Sequence, residues 1–217
     1  MQALTEKIMQ TDLVNRVFNE QQLGRKLGGS DARRYGLVNR ALKAGELHRV
    51  KRGLYVLDNK FRDYPLHPFA LAQVLVPGSY ISLETALAHH GWIPEAVYTI
   101  ACITPGRKSK DYNHEKPGSF SFHPLAINKG CFLELVERLQ IDQQSMLVAK
   151  PVRALMDLVC LRKTEWEGKS WLTEGLRIDD DHLRSITDTD IRTLKLVYKH
   201  KRVKAFLAAL TREPGND

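Results

Sequence analysis

The chain has 217 residues and a formal net charge of +8, enough length for one large or two small domains with real cores. No uninterrupted apolar run approaches the ~18 residues of a membrane span, and the N-terminus lacks a secretory apolar region, so a cytoplasmic protein is expected. Cys102, Cys131 and Cys160 are odd in number, widely spaced and set in apolar sequence, which argues against a disulfide framework or a metal knuckle and predicts buried thiols.

The charge is uneven. Met1 to Lys60 carries 12 Lys+Arg against 6 Asp+Glu, whereas the remainder is almost balanced. A polyanionic partner for the N-terminal end follows, because a membrane-surface helix would need a large apolar face with Trp or Phe anchors that this segment lacks.

In chain order, Leu4, Ile8, Leu13, Val17 and Phe18 predict a first helix over Ala3 to Phe18. Leu23 and Leu27, four residues apart, give a second short helix that ends at the turn-forming pair Gly28-Gly29. Ser30 is a good N-cap, and the spacing of Tyr35, Val38, Ala41 and Leu42 predicts an amphipathic helix from about Ser30 to Ala44, stopped by Gly45. Its outward side is expected to carry Arg33, Arg34, Asn39, Arg40 and Lys43, with Arg33 and Arg40 two turns apart and aimed at one groove. After Gly45, an apolar run split by Arg52-Gly53 reads as a β-hairpin whose tip is crowded by Arg49, Lys51 and Arg52. Strands so short need the preceding helices to pack against, which leaves the basic side free for phosphates. Helix, glycine turn, helix and basic hairpin in this order predict a winged helix-turn-helix over residues 1–60. The candidate DNA-binding set is Ser30, Arg33, Arg34, Asn39, Arg40, Lys43, Arg49, Lys51 and Arg52.

A polar stretch, Asp58 to Pro65, is the expected boundary, and residues 61–217 read as a mixed α+β domain. Helical spacing covers His67 to Val76, and Ser82 is expected to cap a helix over Leu83 to His90. Tyr98 to Thr104 and Ser119 to His123 read as strands, with Arg107 to Gly118 a basic polar loop in which Tyr112 and His114 have no assigned role. Phe132 to Ala149 suits either a helix or a hairpin closed near Asp142-Gln143. Pro151 opens a helix over Val152 to Leu161, and Asp188 opens a last helix reaching about Leu210, with Lys195, Lys199, Lys201, Arg202 and Lys204 along it.

Chemistry-bearing patterns are sparse. His89 and His90 are adjacent, point about 100° apart on a helix and cannot share a metal. Asp157, Glu167 and Lys169 have the composition of a metal-dependent nuclease, the alternative to a DNA-binding regulator. Against that reading, Asp157 belongs to a helix and Glu167 lacks apolar strand flanks. No P-loop, nucleophile elbow or dinucleotide fingerprint occurs, and neither a cofactor nor a metal is expected.

Three patches resemble one family. Gly29-Ser30-Asp31 through Val38, Ala44-Gly45-Glu46-Leu47 and Arg52-Gly53-Leu54-Tyr55 resemble the N-terminal winged helix of the AbiEi-type antitoxins of abortive-infection (AbiE) type IV toxin–antitoxin systems, also described as viral-defence transcriptional regulators. The run Ser79 to Gly91 resembles the segment after the wing, and Ala149 to Leu158 resembles a helix entry in the C-terminal half. The resemblance implies a non-enzymatic repressor that binds inverted repeats at its own promoter, with a C-terminal domain that counteracts a nucleotidyltransferase-like toxin encoded next door. On this analogy Arg33, Arg34 and Arg40 reach base edges and phosphates of double-stranded DNA, and Arg49, Lys51 and Arg52 hold the flanking backbone.

Overall fold

A computed structural model describes residues 1–114 and 118–210, and the chain divides into two units, Met1–Leu75 and Val76–Asp217. Helices and two sheets make an α+β protein, as its sequence predicts.

The first unit opens with α1 (Ala3–Met9), seven residues where the spacing predicts a helix on to Phe18. Thr11 ends it: its backbone N–H and its hydroxyl both donate to the Ile8 carbonyl, at 2.9 and 2.8 Å. Phe18, expected on that helix, lies instead in the short strand β1 (Phe18–Asn19). Asn19 and Gln22 then form a reciprocal capping box that starts α2 (Glu20–Leu27). Gly28 and Gly29 take φ of 61° and 76°, the left-handed angles that a side chain would resist, and turn the backbone into α3 (Asp31–Lys43). Ser30 caps α3, its hydroxyl accepting from the Arg33 N–H at 3.4 Å.

Strands β2 (Leu47–Lys51) and β3 (Leu54–Leu57) form the hairpin, and the sheet runs in the order β1-β3-β2. Leu4, Ile8, Phe18, Leu23, Val38 and Leu57 share one core, so the helices and the hairpin stabilise each other by removing apolar surface from water.

The expected boundary after Lys60 lies fifteen residues early, since the first unit extends to Leu75. A 3-10 turn (Asn59–Phe61) and α4 (Pro68–Leu75) belong to it. The Asp63 N–H donates to Asn15 at 2.9 Å, the Asn15 amide returns a bond to the Asp63 carboxylate at 2.6 Å, and Lys51 Nζ donates to the Leu75 carbonyl at 2.8 Å.

The second unit holds β4 (Tyr80–Ile81), α5 (Leu83–His89), β5 (Thr99–Thr104), β6 (Lys110–His114), β7 (Gly118–Pro124), β8 (Val136–Ile141) and β9 (Gln144–Ala149). These strands make a six-stranded mixed sheet in the order β6-β7-β5-β4-β9-β8. Two expectations change here. Part of the Arg107 to Gly118 loop is an edge strand, β6, paired antiparallel with β7; Glu115–Pro117 lie outside the described residues. The ambiguous Phe132 to Ala149 is a hairpin, closed by Asp142 and Gln143 at φ of 46° and 59°, a turn that matches the strand twist.

Next come α6 (Pro151–Arg162), a π-helical turn (Trp171–Gly175), α7 (Asp180–Arg184), α8 (Asp188–Val197) and α9 (Lys201–Leu210). Helix α6 is buried all round from Val152 to Cys160. The single last helix expected from Asp188 to Leu210 is two helices, because Tyr198 is extended at φ −96°, ψ 139° and bridges to Ile127.

Candidate nucleic-acid interface

Helix α3 turns about 100° per residue, and its buried seam is Val38 and Ala41. Opposite that seam, Ala32, Arg33, Arg40 and Lys43 are exposed, and Asn39 is half-buried. Arg33 and Arg40 project within about 20° of each other, as the two-turn spacing requires. Neither guanidinium has an ion-pair partner among the described residues, so both present unneutralised charge to solvent.

Arg34 is not part of this face. On the helical wheel it falls between Ala41 and Val38, toward the core, and only 20% of its side chain is exposed. Its guanidinium donates to the carbonyl oxygens of Gly28, at 3.2 Å, and of Gly29, and to the Asp31 carboxylate. It lies across Gly24 of α2, where an added Cβ would come 3.3 Å from Arg34 Cζ. Arg34 therefore fastens the glycine turn between α2 and α3, and the expectation that it reaches a DNA groove is corrected.

Tyr35 departs in the opposite sense. Its three-residue spacing from Val38 suggests a core position, yet it is 66% exposed on α3, bordering a cleft with Glu20, Gln21 and Asp31. Stripes through 34, 38 and 41 and through 35, 38 and 42 each span about 60° and fit the helical period equally. Leu37 and Leu42, packing beside Val38 and Ala41, centre the buried side near Arg34 and leave Tyr35 at its edge.

The hairpin has a bulge. Arg49 pairs with Tyr55 and Lys51 with Leu54, leaving Val50 as the extra residue. Strand alternation would bury Arg49; the bulge turns Val50 inward instead, so that His48 and Arg49 both face solvent. The Arg49 guanidinium sits 5.9 Å from the Tyr55 ring centroid, a cation–π contact, and Arg52 is exposed at the turn. Lys51, expected to grip phosphate, is drawn back to the Leu75 carbonyl at 2.8 Å and secures α4 to the hairpin. Of the nine candidates, the structure leaves Ser30, Arg33, Asn39, Arg40 and Lys43 along α3, and Arg49 and Arg52 on the hairpin.

In the second unit, Asp157 is wholly buried and accepts from Ser82 Oγ at 2.7 Å, Tyr80 at 2.9 Å, Tyr198 at 2.7 Å and Arg153 Nε at 3.0 Å. Arg153, also buried, donates further to the Glu134 carbonyl at 2.8 Å and to the Tyr80 hydroxyl at 2.6 Å. Burial first, and then the Asp157 charge, push both tyrosine hydroxyls well above their ordinary pKa. Ser82 was expected to cap α5 with its side chain, but its hydroxyl is committed to Asp157 instead. This network is a satisfied polar core with its carboxylate fully occupied.

The other nuclease candidates are elsewhere: Glu167 is exposed, and Lys169 pairs with Asp180 at 2.7 Å. His90 is half-buried and within 3.0 Å of the Ala149 carbonyl. Among the described residues no group of three or more His, Cys, Asp or Glu side chains gathers to hold a metal, and no helix is long and apolar enough to cross a membrane. Cys102 and Cys160 are buried, Cys160 with its thiol pushed up to about 11 by burial, and Cys131 is half-buried. No protein-family model matches the chain, and no curated protein matches it.

Proposed function

We propose that residues Met1–Leu75 form a winged helix-turn-helix that binds double-stranded DNA with base preference. The observation that carries this reading is the pair Arg33 and Arg40, exposed and unneutralised on one side of a helix opposite its core seam. The succession α1-β1-α2-α3-β2-β3 and the sheet order β1-β3-β2 support it, since α3 is then the helix offered to a major groove and the hairpin is the wing beside it. Arg33, Asn39, Arg40 and Lys43 reach base edges and adjacent phosphates. Arg49 and Arg52 hold the flanking backbone, Ser30 fixes the start of the reading helix, and Arg34 and Lys51 keep the scaffold rigid.

The resemblance to AbiEi-type antitoxins extends the proposal. The chain acts in the cytoplasm as a non-enzymatic repressor of its own operon at promoter inverted repeats, and the second unit counteracts a nucleotidyltransferase-like toxin encoded beside it. The occupied state of Asp157 favours this over the nuclease reading, because a carboxylate holding four donors in the core is unavailable to a metal.

Selection of the full chain against a random duplex library tests the proposal. Enrichment of inverted repeats that also occur upstream of its operon is the expected result; a pool that stays random after several rounds defeats it.

A further inference from the structure

The glycines around the turn between α2 and α3 have reasons inside the chain, with one exception. Gly28 and Gly29 need positive φ, and Gly24 makes room for the Arg34 guanidinium. Gly36 has neither reason. It is the sixth of the thirteen residues of α3, its φ is not positive, and an added Cβ would meet nothing closer than Arg40 Nη1 at 3.8 Å, an ordinary contact. Glycine in a helix interior costs stability relative to alanine, because the unfolded backbone it gives up is the freest of all.

Its position suggests what offsets that cost. On the helical wheel Gly36 is diametrically opposite the midpoint of the Val38–Ala41 seam, at the apex of the outward face, with Ala32 one turn before it. Arg33 and Arg40 flank the apex on one side, and the 66% exposed ring of Tyr35 stands on the other. We infer that Gly36 is a specificity-determining residue: its missing side chain lets the α3 backbone approach the floor of the DNA major groove closely enough for its neighbours to reach base edges. This rests on the reading of α3 as the DNA-contacting helix. The ligand is duplex DNA, contacted at base-pair edges, where depth of entry decides which side chains touch a base and which stop at phosphates.

The test compares the full-length wild type with Gly36→Ala by thermal melting and by fluorescence anisotropy on two duplexes of equal length, one enriched by selection on the wild type and one scrambled. Gly36→Ala is expected to melt about 2–4 °C higher. It is also expected to bind the selected duplex about tenfold more weakly and the scrambled duplex unchanged. A variant that binds the selected duplex as tightly as wild type, that loses both duplexes equally, or that melts lower overturns the inference while the DNA-binding reading stands. A wild type that does not distinguish the two duplexes overturns both.

Discussion

The guanidinium of Arg34 rests on the bare backbone of Gly24, 3.3 Å from the place where a Cβ would stand. One arginine thus joins α2, the glycine turn and α3 through two carbonyls and a carboxylate. Arg34→Ala is expected to destabilise the first unit by about 1–3 kcal/mol, since charge-assisted bonds and packing over Gly24 are lost together. Arg34→Lys should recover only part of this, because a single ammonium lacks the fork that reaches three acceptors. Denaturant melts of the two variants measure it; a lysine variant as stable as wild type would show that charge alone matters.

For the exposed arginines the prediction concerns binding rather than folding. Arg33→Ala and Arg40→Ala should leave the melting temperature within about 2 °C and relax base preference at one or two positions, each at about 1–3 kcal/mol. Arg52→Ala should weaken all duplexes alike and reduce the salt slope by about one. Lys51→Ala should lower stability by undocking α4 before it affects DNA. Competition binding on single-base variants of the selected site separates these outcomes.

The buried Asp157 network predicts a steep dependence of the second unit on single atoms. Asp157→Ala strands Arg153 in the core and should cost about 3–5 kcal/mol. Tyr198→Phe removes one of four donors and should cost about 1–3 kcal/mol. A double replacement, Arg153→Met with Asp157→Leu, should cost less than the sum of the singles, which a double-mutant cycle in urea reads directly.

Asp58 gives a pH dependence. The hydrogen bond to His48, at 2.7 Å, holds its carboxyl below the usual range, with the Lys60 N–H adding to the effect. A folded-state pKa below the unfolded value means that this stabilisation is present above pH ~4 and is lost as pH falls through the folded value. Melting between pH 2.5 and 6 should therefore show a shallower acid-side decline for Asp58→Asn than for wild type; identical slopes would remove Asp58 as the cause.

Legibility in the sequence followed the range of the interactions involved. Helix α3 was readable because its cap, its stripe and its stop lie within sixteen residues, from Ser30 to Gly45, and the hairpin because Arg52-Gly53 divides two β-prone runs. The division of the last helix was not, because Tyr198 leaves the helix to reach Asp157, 41 residues earlier. Ser82 looked like a cap for the same reason, since its partner is 75 residues away. At Arg34 two signals conflict: its charge points outward, whereas the helical period puts it on the core side between Ala41 and Val38. Arg49 came outward as expected only because a bulge reversed the strand alternation, and no local signal marks that bulge.

The central claim is that α3 and the hairpin together hold a duplex, and the salt dependence of binding tests it most directly. With the selected duplex, log Kd plotted against log salt should have a slope near 4–6, which Arg49→Ala with Arg52→Ala, the two residues placed on the flanking backbone, should lower by about two, in keeping with ~0.9 counterions released per phosphate contact. A slope near zero, or one that the double substitution leaves unchanged, would contradict it.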